Sequence, residues 1–108
     1  MRVRWLAIPA AAAFMFAAGQ ANANLDIAKK SGCLACHSVD HKVVGPAWKD
    51  VAAKYKGDGA AKAALVAKVK AGGKGNWTEV TGGVPMPPYS PRVSDGDIET
   101  LVDFILGL

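Results

Sequence analysis

The sequence predicts an all-α fold, on three observations. Apolar residues recur at helical spacing in several separate runs. No segment alternates apolar and polar residues over a useful length, as a half-buried strand would. Glycine and proline pairs punctuate the chain between the helical runs.

The elements follow in order. Leu25 to Ser31 reads as a short helix, with Asn24 or Asp26 as its cap. Gly45-Pro46 breaks the chain, and Pro46 suits the first turn of a helix that carries Trp48, Val51, Ala52 and Tyr55 at i, i+3, i+4 and i+7. Gly57-Asp58-Gly59 ends it. A third helix is expected from about Ala60 to Ala71, with Ala61, Leu65 and Val69 on one face and Gly72-Gly73 as its stop. Gly72 to Ser90, rich in Gly and Pro, reads as a long structured loop. In the last helix Ser94, with Asp97 three residues on, resembles a capping box, and Ile98, Leu101, Val102, Ile105 and Leu106 form one apolar stripe.

Ahead of these elements, Met1-Arg2-Val3-Arg4 leads into an apolar, Ala-rich stretch from Trp5 to Ala18 and then Ala21-Asn22-Ala23. A basic start, a short apolar run and a small-residue triplet are the layout of a secretory leader. The apolar run is shorter than the roughly 20 residues of a membrane-spanning helix. The expected division is a signal peptide over residues 1–23 and one small domain over 24–108, exported to the periplasm and without stable membrane insertion once cleaved. Loss of Arg2 and Arg4 lowers the formal charge from +4 to +2. No cluster of lysines with aromatics accompanies that mild basicity, so nucleic acid is not an expected partner.

Both cysteines fall in Cys33-Leu34-Ala35-Cys36-His37, which is C-x-x-C-H, the attachment signature of c-type haem. Thiols one helical turn apart can each add to a vinyl group on the haem edge, and the following His37 then lies under the iron as proximal ligand. Three readings weigh less. A Cys33–Cys36 disulfide would close a very short, strained loop. A thioredoxin-like pair needs a βαβ setting. A zinc site from Cys33, Cys36, His37 and His41 requires adjacent side chains to converge on one tetrahedron.

Met1 and Met15 leave with the leader, so Met86 is the methionine that remains as candidate second ligand. By itself a lone methionine is more often core filling. Its place in Val84-Pro85-Met86-Pro87-Pro88, where three prolines stiffen the backbone, favours the iron. His41, between Asp40 and Lys42, reads as a solvated surface imidazole.

In the order CLACH, VVGPAWKDVAAKY, LVAKVKAGGKGNW, VPMPP and the closing helix, the chain from residue 24 onward resembles the small single-haem class I bacterial cytochromes c of the c-551 or c-552 type. The resemblance implies a compact cytochrome c fold of about four helices around one covalently bound haem. It also implies that the Pro46 carbonyl accepts a hydrogen bond from His37, that the Trp77 indole and Lys68 meet a haem propionate, and that Ile27 or Ala28 packs against Leu101 and Val102. The implied activity is one-electron transfer between a membrane cytochrome complex and a reductase or terminal oxidase, by a monomer that is not an enzyme. The alternative is a gas-binding haem sensor whose Met86 dissociates. Redox partners would dock transiently at the haem edge, on an apolar patch of Ala35, Val43, Val44, Val84 and Pro85 with Lys42 and Lys49 at its rim and Lys29 and Lys30 nearby. Two features depart from the family: Tyr89 stands where an asparagine is usual, and Thr78-Glu79-Val80-Thr81-Gly82-Gly83 lengthens the link from Trp77 to Met86.

Overall fold

In the computed structural model, which describes residues 23–108, a first helix, α1, runs over 23–30 and ends in a turn at Ser31-Gly32. Gly32 takes the left-handed conformation, φ 83°, that a Cβ disfavours, and the chain passes into a 3-10 turn at Cys33–Ala35. Four helices follow: α2 at Trp48–Lys54, α3 at Ala61–Ala71, α4 at Thr78–Thr81 and α5 at Asp95–Leu106. Among the described residues there is no strand, only isolated bridges between His37 and Lys42 and between Gly73 and Met86. The fold is all-α, as the periodicity indicates. The leader expected over residues 1–23 lies, apart from Ala23, outside the described residues.

Three local differences from expectation have physical reasons. Pro46 sits just ahead of the α2 cap, Ala47, not in the first turn. The first amides of α2 are instead satisfied from outside: Trp48 donates to the Ser38 carbonyl at 2.9 Å and Lys49 to that of Val39 at 3.1 Å. Tyr55 caps α2 and does not extend it. Inside the expected loop, α4 makes a single turn closed by Gly82 in the left-handed region. Its residues, Thr-Glu-Val-Thr, carry no helical apolar pattern that could announce it.

The apolar stripe of α5 organises the core. Leu101, Phe104 and Ile105 pack with Ala28, Cys33 and Trp48 beside α1 and α2. Ile98, Val102 and Leu106 pack with Tyr89, Val93, Leu65, Val66 and Val69 beside α3 and the Met86 loop. Ala28 thus shares a cluster with Leu101, while Val102 belongs to the other cluster. Ser94 caps α5, its Oγ accepting from the Asp97 N–H at 3.2 Å. That is the half of the capping box made by the serine.

Candidate functional site

Between the two clusters lies an apolar pocket, partly open to solvent. Its walls are Trp48, Val51, Leu65, Val69, Leu101, Val102 and Ile105, with Cys33, His37, Lys68, Trp77 and Met86 at its rim and ends. A second pocket, also partly open to solvent, adjoins it and shares His37, Lys68, Trp77 and Met86, with Cys36, Val44, Pro46, Val84 and Pro85 among its other walls. The two are halves of one slot. Cys33 opens on one half and Cys36 on the other.

Local backbone explains how the 33–37 segment presents its side chains. The Cys33 carbonyl accepts from the N–H groups of Cys36 and His37, at 3.2 and 3.0 Å, which winds the motif into a single turn. The Cys36 carbonyl accepts from Gly45, at 2.7 Å, and from Val44, at 3.2 Å, and so folds the 38–44 excursion back onto the motif. Cys33 is buried, and desolvation pushes its thiol pKa up from the ordinary value of 9.0. The two cysteines are not joined to each other.

His37 is fixed on three sides. Its Nδ1 lies 2.9 Å from the Pro46 carbonyl oxygen, so the nitrogen bears the proton and donates, and Nε2 keeps its lone pair. Its ring stacks on Trp48 with centroids 5.7 Å apart and planes 25° from parallel. Gly45 closes the third side: a Cβ there would stand 2.5 Å from Cε1 and 2.9 Å from Nδ1 of the imidazole. Burial lowers the His37 pKa from 6.5, opposed by the hydrogen bond to Pro46, and favours the neutral ring that a metal requires.

Met86 reaches the slot from a loop bridged to Gly73 by two backbone hydrogen bonds, of 2.9 and 3.0 Å. Lys68 and Trp77 line both halves of the slot. Lys68 Nζ donates to the Gly72 carbonyl at 3.5 Å. Trp77 carries the Lys54 ammonium 4.5 Å above its ring, and the same ammonium donates to the Asn76 carbonyl at 3.2 Å. His41 stays exposed beside Ser38, and no group of three or more His, Cys, Asp or Glu side chains among the described residues could hold a metal ion. Cys33, Cys36, His37 and His41 thus do not converge on a common point in this structure.

The slot thus suits a flat, largely apolar macrocycle: paired thiols at one margin, a neutral imidazole and a thioether among its walls, and a lysine and an indole where acidic groups could be met. Comparison with known proteins decides which family this is. Residues 18–108 match the Cytochrome c family model. The chain belongs to the cytochrome c family. It is 58% identical to cytochrome c-551 of Allochromatium vinosum over 94 residues, covering 87% of this chain and 95% of that protein. It is 48% identical to cytochrome c-552 of Nitrosomonas europaea over 108 residues, covering 100% of this chain and 99% of that one. The crystal structure of wild-type Nitrosomonas europaea cytochrome c552 superposes with a TM-score of 0.69 at 50% identity, covering 78% of this chain and 98% of that structure.

As a cytochrome c, the chain carries covalently bound c-type haem through its C-x-x-C-H motif and is a small electron carrier, not an enzyme. Reading the sequence for periodicity treats Trp48 as one more core position and Gly45 and Gly72 as punctuation. All three touch or crowd a site residue. The signal for Gly45 is its place before Pro46 and close after the histidine; a glycine has no side chain by which to show more.

Proposed function

We propose that this cytochrome c is a periplasmic one-electron shuttle whose haem iron is held by His37 and Met86, working between a membrane cytochrome complex and a reductase or terminal oxidase. The observation that carries the reading is the pairing of an oriented, neutral His37 with Met86 as walls of one apolar slot. When bound, the haem supplies the ferric/ferrous couple. His37 would hold the iron through Nε2 while Pro46 keeps the ring's other proton and its orientation. Met86 would also hold the iron, with a soft thioether that favours the ferrous state. The valine and leucine walls would limit water at the iron, so the couple would change charge with little reorganisation. Lys68 and Trp77 would face the propionates, and Cys33 and Cys36 would form the thioethers.

Partner docking is read at the mouth of the slot. Val44 and Val84 line the second half and are 40% and 50% exposed, and Val43 beside them is 44% exposed. Leu34 adds to the exposed apolar surface of the haem motif. Of the rim lysines, Lys49 is engaged by Asp40 at 2.6 Å, so Lys42, which has no carboxylate partner among the described residues, bears more of the steering charge. A small, transient interface below about 1,200 Å² fits a carrier that must release its partner at every turnover. Among the described residues no helix is long and apolar enough to cross a membrane. The leader-like start and the family support export to the periplasm and work there as a monomer.

The deciding experiment is a redox titration of the haem-loaded protein. Met86→Ala is expected to keep its covalent haem and to lower the reduction potential by on the order of a tenth of a volt or more, within the roughly 0.8 V span that axial ligation controls. An unchanged potential would exclude Met86 as ligand.

A further inference from the structure

The end of α3 and the segment that carries Met86 are joined through backbone. A helix leaves its last carbonyls without partners inside the helix. Here the Val69 carbonyl accepts from the Tyr89 N–H at 3.1 Å and the Lys70 carbonyl from the Ser90 N–H at 3.3 Å. On the other side of the ligand, Gly73 and Met86 exchange both of their backbone hydrogen bonds. Pro87 and Pro88 lie between these anchors and have no N–H to offer, so the register of Met86 depends on the amides that flank them.

This path crosses directly over Gly72. A Cβ on Gly72 would stand 2.5 Å from the Met86 carbonyl oxygen, 2.8 Å from Pro88 N and 2.9 Å from the Pro87 carbonyl carbon. All three are backbone atoms, which cannot rotate aside as the end of a side chain can. Gly72 also has φ 72° and ψ −165°, a combination open essentially to glycine alone.

We propose that Gly72 is the positioning residue for Met86: its missing side chain lets the ligand loop lie against the end of α3, and so fixes how tightly the thioether is held. The proposal rests on the reading of Met86 as iron ligand. The bland alternative is a glycine needed only to stop α3. A stop residue would set stability and leave the ligand loop alone. The geometry argues otherwise, because moving the Met86 oxygen from 2.5 Å to the 3.4 Å at which ordinary contact begins shifts the loop by nearly an ångström. Functional groups generally need to be held within about 0.5 Å of their working position.

Gly82 provides the control. It follows α4 with φ 67°, and a Cβ there would meet nothing within 4 Å. The test titrates the ferric, haem-loaded wild type, Gly72→Ala, Gly82→Ala and Met86→Ala proteins with imidazole. Imidazole must displace the thioether and abolish the weak near-red band that it gives with ferric iron. Gly72→Ala is expected to bind imidazole at least about tenfold more tightly than wild type, and Gly82→Ala within about twofold of it. Equal affinity in Gly72→Ala and wild type, or an equal gain in Gly82→Ala, overturns the proposal. Should Gly72→Ala not accumulate, amide exchange in the wild type decides: protection at Gly73, Met86, Tyr89 and Ser90 is expected to fall together when imidazole is bound, and its persistence sinks the idea. A wild type without the band, whose imidazole affinity Met86→Ala leaves unchanged, is a separate result. It removes Met86 as ligand and this proposal with it, whereas a band-bearing wild type and an indifferent Gly72→Ala remove the proposal alone.

Discussion

Tyr89, at the position where the family usually has an asparagine, is 6% exposed and packs with Val93, Ile98 and Val102. Met86 lies against the same cluster, and the Arg92 guanidinium sits 4.8 Å above the tyrosine ring. The substitution therefore exchanges a small amide for a core-filling ring beside the Met86 loop. Desolvation raises the phenol pKa above its ordinary value of 10.0, with Arg92 opposing the shift. The sign follows from linkage. A folded-state pKa above the unfolded one means that the folded chain binds more protons above pH 10, so this contribution is complete below pH 10 and is lost as pH rises through the folded value. Tyr89→Phe is expected to change stability at pH 7 by less than about 1 kcal/mol and to lessen the fall above pH 10. Denaturant unfolding at a series of pH values checks it, and an unaltered alkaline slope would exclude a buried phenol as its source. The same contrast shows what could be read beforehand. Cys33, Cys36 and His37 are legible because their chemistry depends on spacing along the chain. Gly45, Gly72 and the stacking of Trp48 on His37 depend on contacts across the fold, which spacing does not encode.

At the scale of elements, α5 is the helix whose beginning and inner face could both be foreseen, because a capping serine and an unbroken stripe act locally. Ser94 accepts the Asp97 amide at 3.2 Å, and Asp95 and Asp97 place negative charge in the first turn, where the helix dipole favours it. Ser94→Ala is expected to cost about 1 kcal/mol and to lower Tm by roughly 4–8 °C in a domain of this size. Ser94→Asp should restore most of that loss. Thermal unfolding of the haem-loaded protein measures both, and an unchanged Tm in Ser94→Ala would show that neighbouring packing holds the first turn without the cap. The stripe also has a division that periodicity alone leaves hidden: Ile98, Val102 and Leu106 turn to one cluster, Leu101, Phe104 and Ile105 to the other. The α4 turn was not foreseeable for the opposite reason. Four residues with two threonines and a valine have no intrinsic preference for helix; Trp77 before and Gly82 after give the turn its ends.

Across the whole molecule, the two clusters face each other over the slot, with α5 contributing to both and no other described helix spanning them in this way. Ile98 and Val102 are the largest side chains wholly removed from solvent among the described residues, a small return for a chain described over 23–108. Chains of this length seldom bury enough apolar area unless a cofactor, metal or disulfide adds to it. Here Cys33 and Cys36 are not paired with each other, and Trp48, Leu65, Val69, Leu101, Val102 and Ile105 all present apolar surface to the slot. Haem filling that slot would remove this surface from water on both sides at once and tether the 33–37 turn covalently. Binding that is confined to the folded state stabilises it by mass action, and covalent attachment makes the contribution permanent. The double variant Cys33→Ala with Cys36→Ala, produced without attached haem, is therefore expected to be largely unfolded at neutral pH. Far-ultraviolet circular dichroism should show most of the helical signal lost and no cooperative thermal transition, while free haem added to the variant should recover part of the signal. A haem-free chain melting cooperatively near the temperature of the haem-loaded protein would show that the two clusters hold the fold without the group between them.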